Sequence, residues 1–182
     1  MVEDEFEKKT LITFEQYKKI AGFFEGAETE NKLQINYYYD TADEVFRSRN
    51  TTCRIRQKEN ALEGTVKTHF DGEEHSKERS FKIKNLPYSM TVDGLEVYLK
   101  GQLVTVRTEY VISEAMVLIL DKNFYLGEVD YELELEYKAG YEREAECFIK
   151  SLKEKFCDNM TLKKQASKSE RFFKKLTGIG VI

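Results

Sequence analysis

The tightest constraint on how this chain can fold is a two-residue rhythm of charge. Residues 130–137 read DYELELEY, which places Asp130, Glu132, Glu134 and Glu136 at alternate positions. Near the N-terminus, Glu3, Glu5 and Glu7 follow the same spacing, in a segment whose residues 5–9 read EFEKK. Successive strand residues point to opposite faces, so each stretch, as a strand, lines one face with carboxylates. Taken alone, EFEKK also suits a helix start with Glu5 and Lys9 as an i,i+4 pair. Taken alone, DYELELEY also suits a solvent-facing edge strand whose charges oppose aggregation.

The rhythm recurs along the chain, and that recurrence carries the argument. Arg54 and Arg56 share one face of TCRIRQ, and Glu63, Thr65 and Lys67 share one face of LEGTVKT. Thr105, Arg107 and Glu109 alternate in LVTVRTEY, as do Gln34, Asn36, Tyr38 and Asp40 in LQINYYYD. The intervening positions carry Ile55, Val66, Val104, Val106, Leu133 and Leu135. Strand patterns fall at 3–11, 33–40, 51–58, 61–69, 75–84, 102–112, 115–121 and 124–137. Turn-like pieces join them, among them DG at 71–72, DKN at 121–123 and ADEVFRSRN at 42–50, and such short links imply antiparallel order.

Helical patterns interrupt the strands. TFEQYKKIAGFF opens with Thr13 followed three residues on by Gln16, a capping-box signature, and carries the stripe Phe14, Tyr17, Ile20, Ala21 and Phe24. A short helix is expected over 91–100, after Pro87 and ending at Gly101. EREAECFIKSLKEKF puts Ala145, Phe148, Ile149, Leu152 and Phe156 on one face, and a last helix is expected over about 166–176.

Amphipathic helices need apolar surface to cover. If they pack outside the sheet, the charged faces turn inward, and an eight-stranded barrel is wide enough to hold a small ligand. Carboxylates ~5 Å apart repel by about 3 kcal/mol at an effective dielectric near 20, so acidic rows require metal ions or basic partners. The cationic rows require anions in turn. A polyphosphate chelated to a divalent metal satisfies both.

Composition narrows the alternatives. At 182 residues the chain fits one domain, residues 1–182, and 29 Lys+Arg against 33 Asp+Glu give a net charge of −4. That sum gives no reason to expect a nucleic-acid polymer as partner. With no span-length apolar run and no signal-peptide pattern, a cytoplasmic protein away from membranes is expected. Cys53, Cys147 and Cys157 form no CxxC and read as reduced thiols, and His69 and His75 have no Cys/His cluster around them. A metal here would take oxygen ligands, which points to magnesium, manganese or calcium.

The ordered set of motifs resembles the CYTH domain family, the triphosphate tunnel metalloenzymes, which includes class IV adenylyl cyclases, thiamine triphosphatases and inorganic triphosphatases. Glu5-Phe6-Glu7-Lys8-Lys9 matches the family's E-x-E-x-K, and QINYYYDT at 34–41 its second strand. CRIRQ at 53–57 matches its R-x-R strand, VLILD at 117–121 and ELEY at 134–137 its acidic end, and SKSERFF at 167–173 its closing Ser-Lys motif. The resemblance spans about residues 3–176. It implies an α+β fold: a closed eight-stranded antiparallel β-barrel, the tunnel, with helices packed outside.

The same resemblance implies site roles. Glu5 and Glu7, with Glu134 and Glu136 facing them, and Asp121 and Glu78 besides, would bind divalent metal, Mg2+ or Mn2+. Lys9, Arg54, Arg56, Lys67 and Arg107 would grip phosphate oxygens, with Lys168 reaching in from the last helix. Glu5, Glu7 and Lys9 would be the catalytic set, with Glu5 or Glu7 a candidate proton acceptor. Asp130 and Glu132 extend the acidic row beyond the family's pair, and Ser169-Glu170 stands where an aromatic residue is frequent.

The leading expectation is therefore a metal-dependent triphosphatase acting on inorganic triphosphate or a triphosphorylated small molecule. A class IV-type adenylyl cyclase would use the same cavity, releasing pyrophosphate from ATP, and would need a purine pocket that no residues mark. A non-catalytic polyphosphate or nucleotide sensor would need only the basic half. A homodimer is compatible with the sequence and not required by it.

Overall fold

The computed structural model describes residues 5–27, 29–69, 76–156 and 166–180, and for Glu5, His69 and Ser76 the backbone alone. Glu3, the 71–72 turn, His75 and Cys157 lie outside the described residues. Among the described residues, nine strands and four helices follow in the order β1 Glu5–Ile12, α1 Phe14–Phe23, β2 Thr29–Asp40, α2 Val45–Ser48, β3 Thr51–Lys58, β4 Ala61–His69, β5 Ser76–Lys82, β6 Ser89–Val92, β7 Leu95–Ser113, β8 Met116–Tyr125, β9 Glu128–Lys138, α3 Glu142–Phe156 and α4 Lys168–Gly178. The fold is a β-rich α+β arrangement with antiparallel pairing. Its hydrogen-bonded path runs β1-β9-β8-β7-β2-β3-β4-β5, with β6 added to β7. Among the described residues the path has two ends, β1 and β5, with no pairing recorded between them.

The expected helix over 91–100 is instead a β-hairpin. Asp93 and Gly94 have φ of 53° and 77°, the double positive φ of a type I′ turn, and Leu95, Val97 and Leu99 alternate in the strand that follows. This hairpin supplies the ninth strand. The DKN piece lies inside β8, and the real turn is Leu126-Gly127, again with both φ positive, at 46° and 79°.

The chain divides into two compact units, residues Met1–Lys32 with Thr105–Ser167, and residues Leu33–Val104 with Lys168–Ile182. In the first unit, register sorts an apolar row from an acidic one. Thr10 sits opposite Leu133, Lys8 opposite Leu135 and Phe6 opposite Tyr137, while Lys9 faces Glu134 and Glu7 faces Glu136. β8 continues both rows, Leu118 and Leu120 meeting Leu135 and Leu133, and Asp121 meeting Glu132. The apolar face packs against Ile20 of α1 and Ala145, Ile149 and Leu152 of α3. Leu118, Leu120, Leu133 and Leu135 are fully buried there, and burial of such side chains contributes about 1.5–3 kcal/mol each.

Local sequence fixes these helices. Thr13 Oγ1 accepts from Gln16 N at 3.2 Å while Gln16 Oε1 accepts from Thr13 N at 2.8 Å, the capping box expected from sequence. Lys8, a charged residue on the apolar row, reaches Glu146 of α3 at 2.9 Å. Its aliphatic stem covers the sheet while its ammonium leaves it.

In the second unit the apolar row of Tyr39, Cys53, Ile55 and Val66 packs with Phe46 of α2 and with Val92 and Val97 of the β6–β7 hairpin. Gly64 is needed there, because a Cβ at that position would stand 2.2 Å from the Phe81 ring. The opposite row aligns Tyr38 with Arg54 and Arg54 with Thr65. Helix α4 does not cover the apolar row, contrary to the expectation that every helix packs outside. Phe172 and Phe173 pack tilted against Tyr38, with ring centroids 4.9 and 5.8 Å away, and Ser169 Oγ lies 3.0 Å from Thr52 Oγ1. The cause is Tyr38 itself, an aromatic ring in a polar row that requires apolar cover. Gly101, with φ 151°, admits Phe172 where a Cβ would sit 2.7 Å from its ring.

Cys53 is buried and Cys147 exposed, both as free thiols. No helix among the described residues is long and apolar enough to cross a membrane.

Candidate functional site

In the first unit the charged face is organised around one guanidinium. Arg107 on β7 forks onto Asp121, with Nε donating to Oδ1 at 2.8 Å and Nη2 to Oδ2 at 2.7 Å. Nη2 also donates to Glu134 Oε2 at 2.6 Å, and Nη1 lies 3.7 Å from Glu136 Oε1. Side-chain exposure rises in steps, from 0% for Asp121 through 5% for Glu134 to 34% for Glu136. The cluster therefore opens outward at Glu136. Burial works against the charge of Arg107, but the hydrogen bond to Asp121 and the charges of Glu134, Asp121 and Glu136 outweigh it and hold its pKa well above the ordinary arginine value.

β1 borders this face. Glu7 sits opposite Glu136, and Lys9, opposite Glu134, pairs along its own strand with Glu7. Glu5 starts β1 opposite Lys138, and its side chain lies outside the described residues. Glu109, expected in the Arg107 row, is engaged by Lys32 at 2.6 Å.

Beyond Asp121 the face continues as a polar chain, buried at Thr105 and Asn123 and partly buried at Tyr125 and Asp130, that the sequence reading did not assemble. Thr105 Oγ1 donates to Asn123 Oδ1 at 2.7 Å, Asn123 Nδ2 donates to Asp130 Oδ1 at 2.8 Å, and Tyr125 Oη donates to Asp130 Oδ2 at 2.8 Å. The signal was present: Asp121, Asn123 and Tyr125 keep the two-residue spacing, hidden when DKN is taken for a turn. Glu132, the other extra carboxylate, is buried opposite Asp121 and Leu11.

In the second unit the charged row mixes cations with carboxylates, Arg56 sitting opposite Glu63 in register and Lys67 opposite Glu78. Arg54 Nε donates to Thr65 Oγ1 at 3.0 Å, and Arg56 Nε donates to Asn36 Oδ1 at 2.9 Å. Lys67 lies 3.7 Å from Glu78, its cross-strand neighbour. Lys168 opens α4. Burial raises the Tyr38 pKa, and the positive charges of Arg54, Lys168, Arg56 and Arg171 pull it back. Arg171, which the sequence reading missed, stands three residues beyond Lys168 and so on the same side of α4.

Among the described residues, no three His, Cys, Asp or Glu side chains form a group set to hold a metal ion. The donor chemistry nevertheless suits a hard divalent cation. All donors on the face are oxygens, and three carboxylates already converge on one positive charge.

The first unit thus belongs to the class of α+β folds in which helices cover the apolar face of an antiparallel sheet and charged side chains line the other. The comparisons make the class specific. The CYTH domain model matches residues 3–173, and the chain belongs to that family. It is 28% identical over 148 residues to the Bacillus subtilis protein called "Putative triphosphatase YjbK", covering 74% of this chain and 77% of that one. A Bacillus halodurans structure described as "a putative adenylate cyclase" is 25% identical, covers 94% of this chain and 98% of its own, and superposes with a TM-score of 0.71. HpAC1 from Hippeastrum, described as revealing a dominant triphosphatase activity, shares the fold at TM-score 0.74 and 20% identity, over 94% of this chain and 96% of its own.

Proposed function

We propose that this chain is a single CYTH domain over residues 1–182 that hydrolyses inorganic triphosphate, or a triphosphorylated small molecule, with a divalent metal, inside a closed β tunnel. One observation carries the reading: in a CYTH chain, Asp121, Glu134 and Glu136 converge on a single cation, on the face opposite the apolar core. The similarity to a relative named as a triphosphatase supports the same reading.

In this reading Glu7, Glu134 and Glu136 hold Mg2+ or Mn2+, with Glu5, Asp121 and Glu78 completing the carboxylate set. The ion supplies neutralisation of phosphate charge and an acidified water. Arg54 and Arg56 bind non-bridging oxygens. Their Nε bonds to Thr65 and Asn36 fix the planes of the guanidinium groups. Lys9, Lys67, Arg107 and Lys168 add donors, since phosphoryl transfer depends mainly on positioning and charge. Glu7 serves first as a ligand, because metal binding weakens a carboxylate as a base.

The name given to the Bacillus halodurans relative favours a second reading, a cyclase acting on ATP. One panel separates the two: tripolyphosphate, ATP and thiamine triphosphate, each with Mg2+ or Mn2+, with phosphate and cyclic AMP both measured. Orthophosphate without cyclic AMP is expected, with tripolyphosphate the best substrate. Cyclic AMP as the main product from ATP would replace the first reading with the second. Tight binding with no turnover on any substrate would defeat both.

A further inference from the structure

We infer that Arg107 is the resident counter-cation of the acidic face, and that a divalent ion competes with its guanidinium for the same carboxylates. The inference rests on the metal role proposed above for Asp121, Glu134 and Glu136. The fork on Asp121 occupies both carboxylate oxygens, and a third donation takes Glu134 Oε2. Asp121 and Glu134 are almost wholly removed from water, and the Arg107 guanidinium donates to both. Lys9, the cation nearest in register, is turned along β1 to Glu7. The chain thus carries its own positive charge at the focus of the cluster, and this part of the face folds without waiting for an ion.

A consequence follows for ligand binding. An ion drawing on Asp121 or Glu134 meets the guanidinium at contact distance, and the two positive charges oppose each other. When carboxylate oxygens turn to the ion, the fork of Arg107 loses its partners. Its planar donors then suit the oxygens of a phosphate chain. Arg107 therefore acts in two states, as structural counter-ion without metal and as anion donor with it. Ion loading is the switch between them.

The test uses the intact chain without any triphosphate, with Mn2+ as the probe. Arg107→Met should melt about 10 °C below wild type in chelator, the loss expected for stranding buried carboxylates in a domain of this size. Saturating Mn2+ should restore most of that loss, and calorimetry should show Mn2+ binding to the variant about tenfold more tightly than to wild type. A variant that melts like wild type in chelator, that Mn2+ does not rescue, or that binds Mn2+ no more tightly overturns the inference.

Should Arg107→Met not fold, the wild type labelled with 15N-arginine decides. The Arg107 Nε–H resonance, assigned by its loss in Arg107→Lys, should exchange slowly without Mg2+ and shift or broaden when Mg2+ is added. A resonance indifferent to Mg2+ refutes the competition. None of these readouts involves turnover. A wild type that behaves as stated yet hydrolyses nothing would refute the proposed function and leave this inference standing.

Discussion

Arg107 and Arg54 both sit on strand faces turned away from an apolar core, yet their surroundings differ in kind. Arg107 is forked onto a carboxylate that is wholly buried and touches a second that is nearly so. Arg54 is held through Nε by the hydroxyl of Thr65. Arg56, beside it, is held by the amide oxygen of Asn36. A guanidinium matched by anions spends its charge on the protein's own stability. One held through Nε by a hydroxyl, as Arg54 is, has its plane fixed by a neutral group. The first unit thus matches Arg107 with buried carboxylates, while in the second a hydroxyl fixes the direction of the Arg54 guanidinium.

The comparison breaks first if the acidic face proves dispensable. Glu136→Gln and Glu7→Gln change one atom each at positions open to solvent, and each should cut turnover at least about a hundredfold with little change in melting temperature. Full activity in either variant would remove the acidic face from the chemistry. Next in size, Arg54→Met or Arg56→Met should lower kcat/KM by about ten- to a hundredfold, the worth of one charge-assisted contact to phosphate. Melting should stay near wild type, in contrast to Arg107→Met, and a large loss of stability at Arg54 would erase the distinction drawn here.

Smaller still is the effect of orientation alone. Thr65→Val keeps the shape of the strand and removes the acceptor of Arg54 Nε, so kcat/KM should fall by only about fivefold. That drop should appear mainly in KM. The smallest effect concerns the apolar back of the second unit, where burial first, and then the charges of Asp40 and Asp93, push the Cys53 thiol up to about 12. The unfolded thiol ionises at its ordinary value of 9, so its share of stability is intact below that value. That share is lost as pH rises toward about 12. Urea midpoints measured from neutral pH upward should fall less steeply for Cys53→Ala than for wild type.

Much of this arrangement was legible in the chain because alternation is a local signal. DYELELEY alone separates Glu132, Glu134 and Glu136 from Leu133 and Leu135, and the register of β1, β8 and β9 keeps those rows intact. The capping box at Thr13 and Gln16 was equally local. What the sequence hid was positional or tertiary. The segment over 91–100 has helical-looking composition, and only the positive φ of Asp93 and Gly94 turns it into a hairpin. Nothing local says that Tyr38 attracts α4 to a charged row, or that Arg107, expected among the phosphate ligands, lies among carboxylates. Those outcomes depend on which distant strands become neighbours.

The most direct trial of the account is a 31P spectrum of tripolyphosphate incubated with the wild-type protein, first with Mg2+ and then after chelation. The account predicts orthophosphate and pyrophosphate appearing in equal amounts with Mg2+, and no further change once the ion is removed. Tripolyphosphate persisting intact with Mg2+, or cleavage continuing undiminished after chelation, would contradict it.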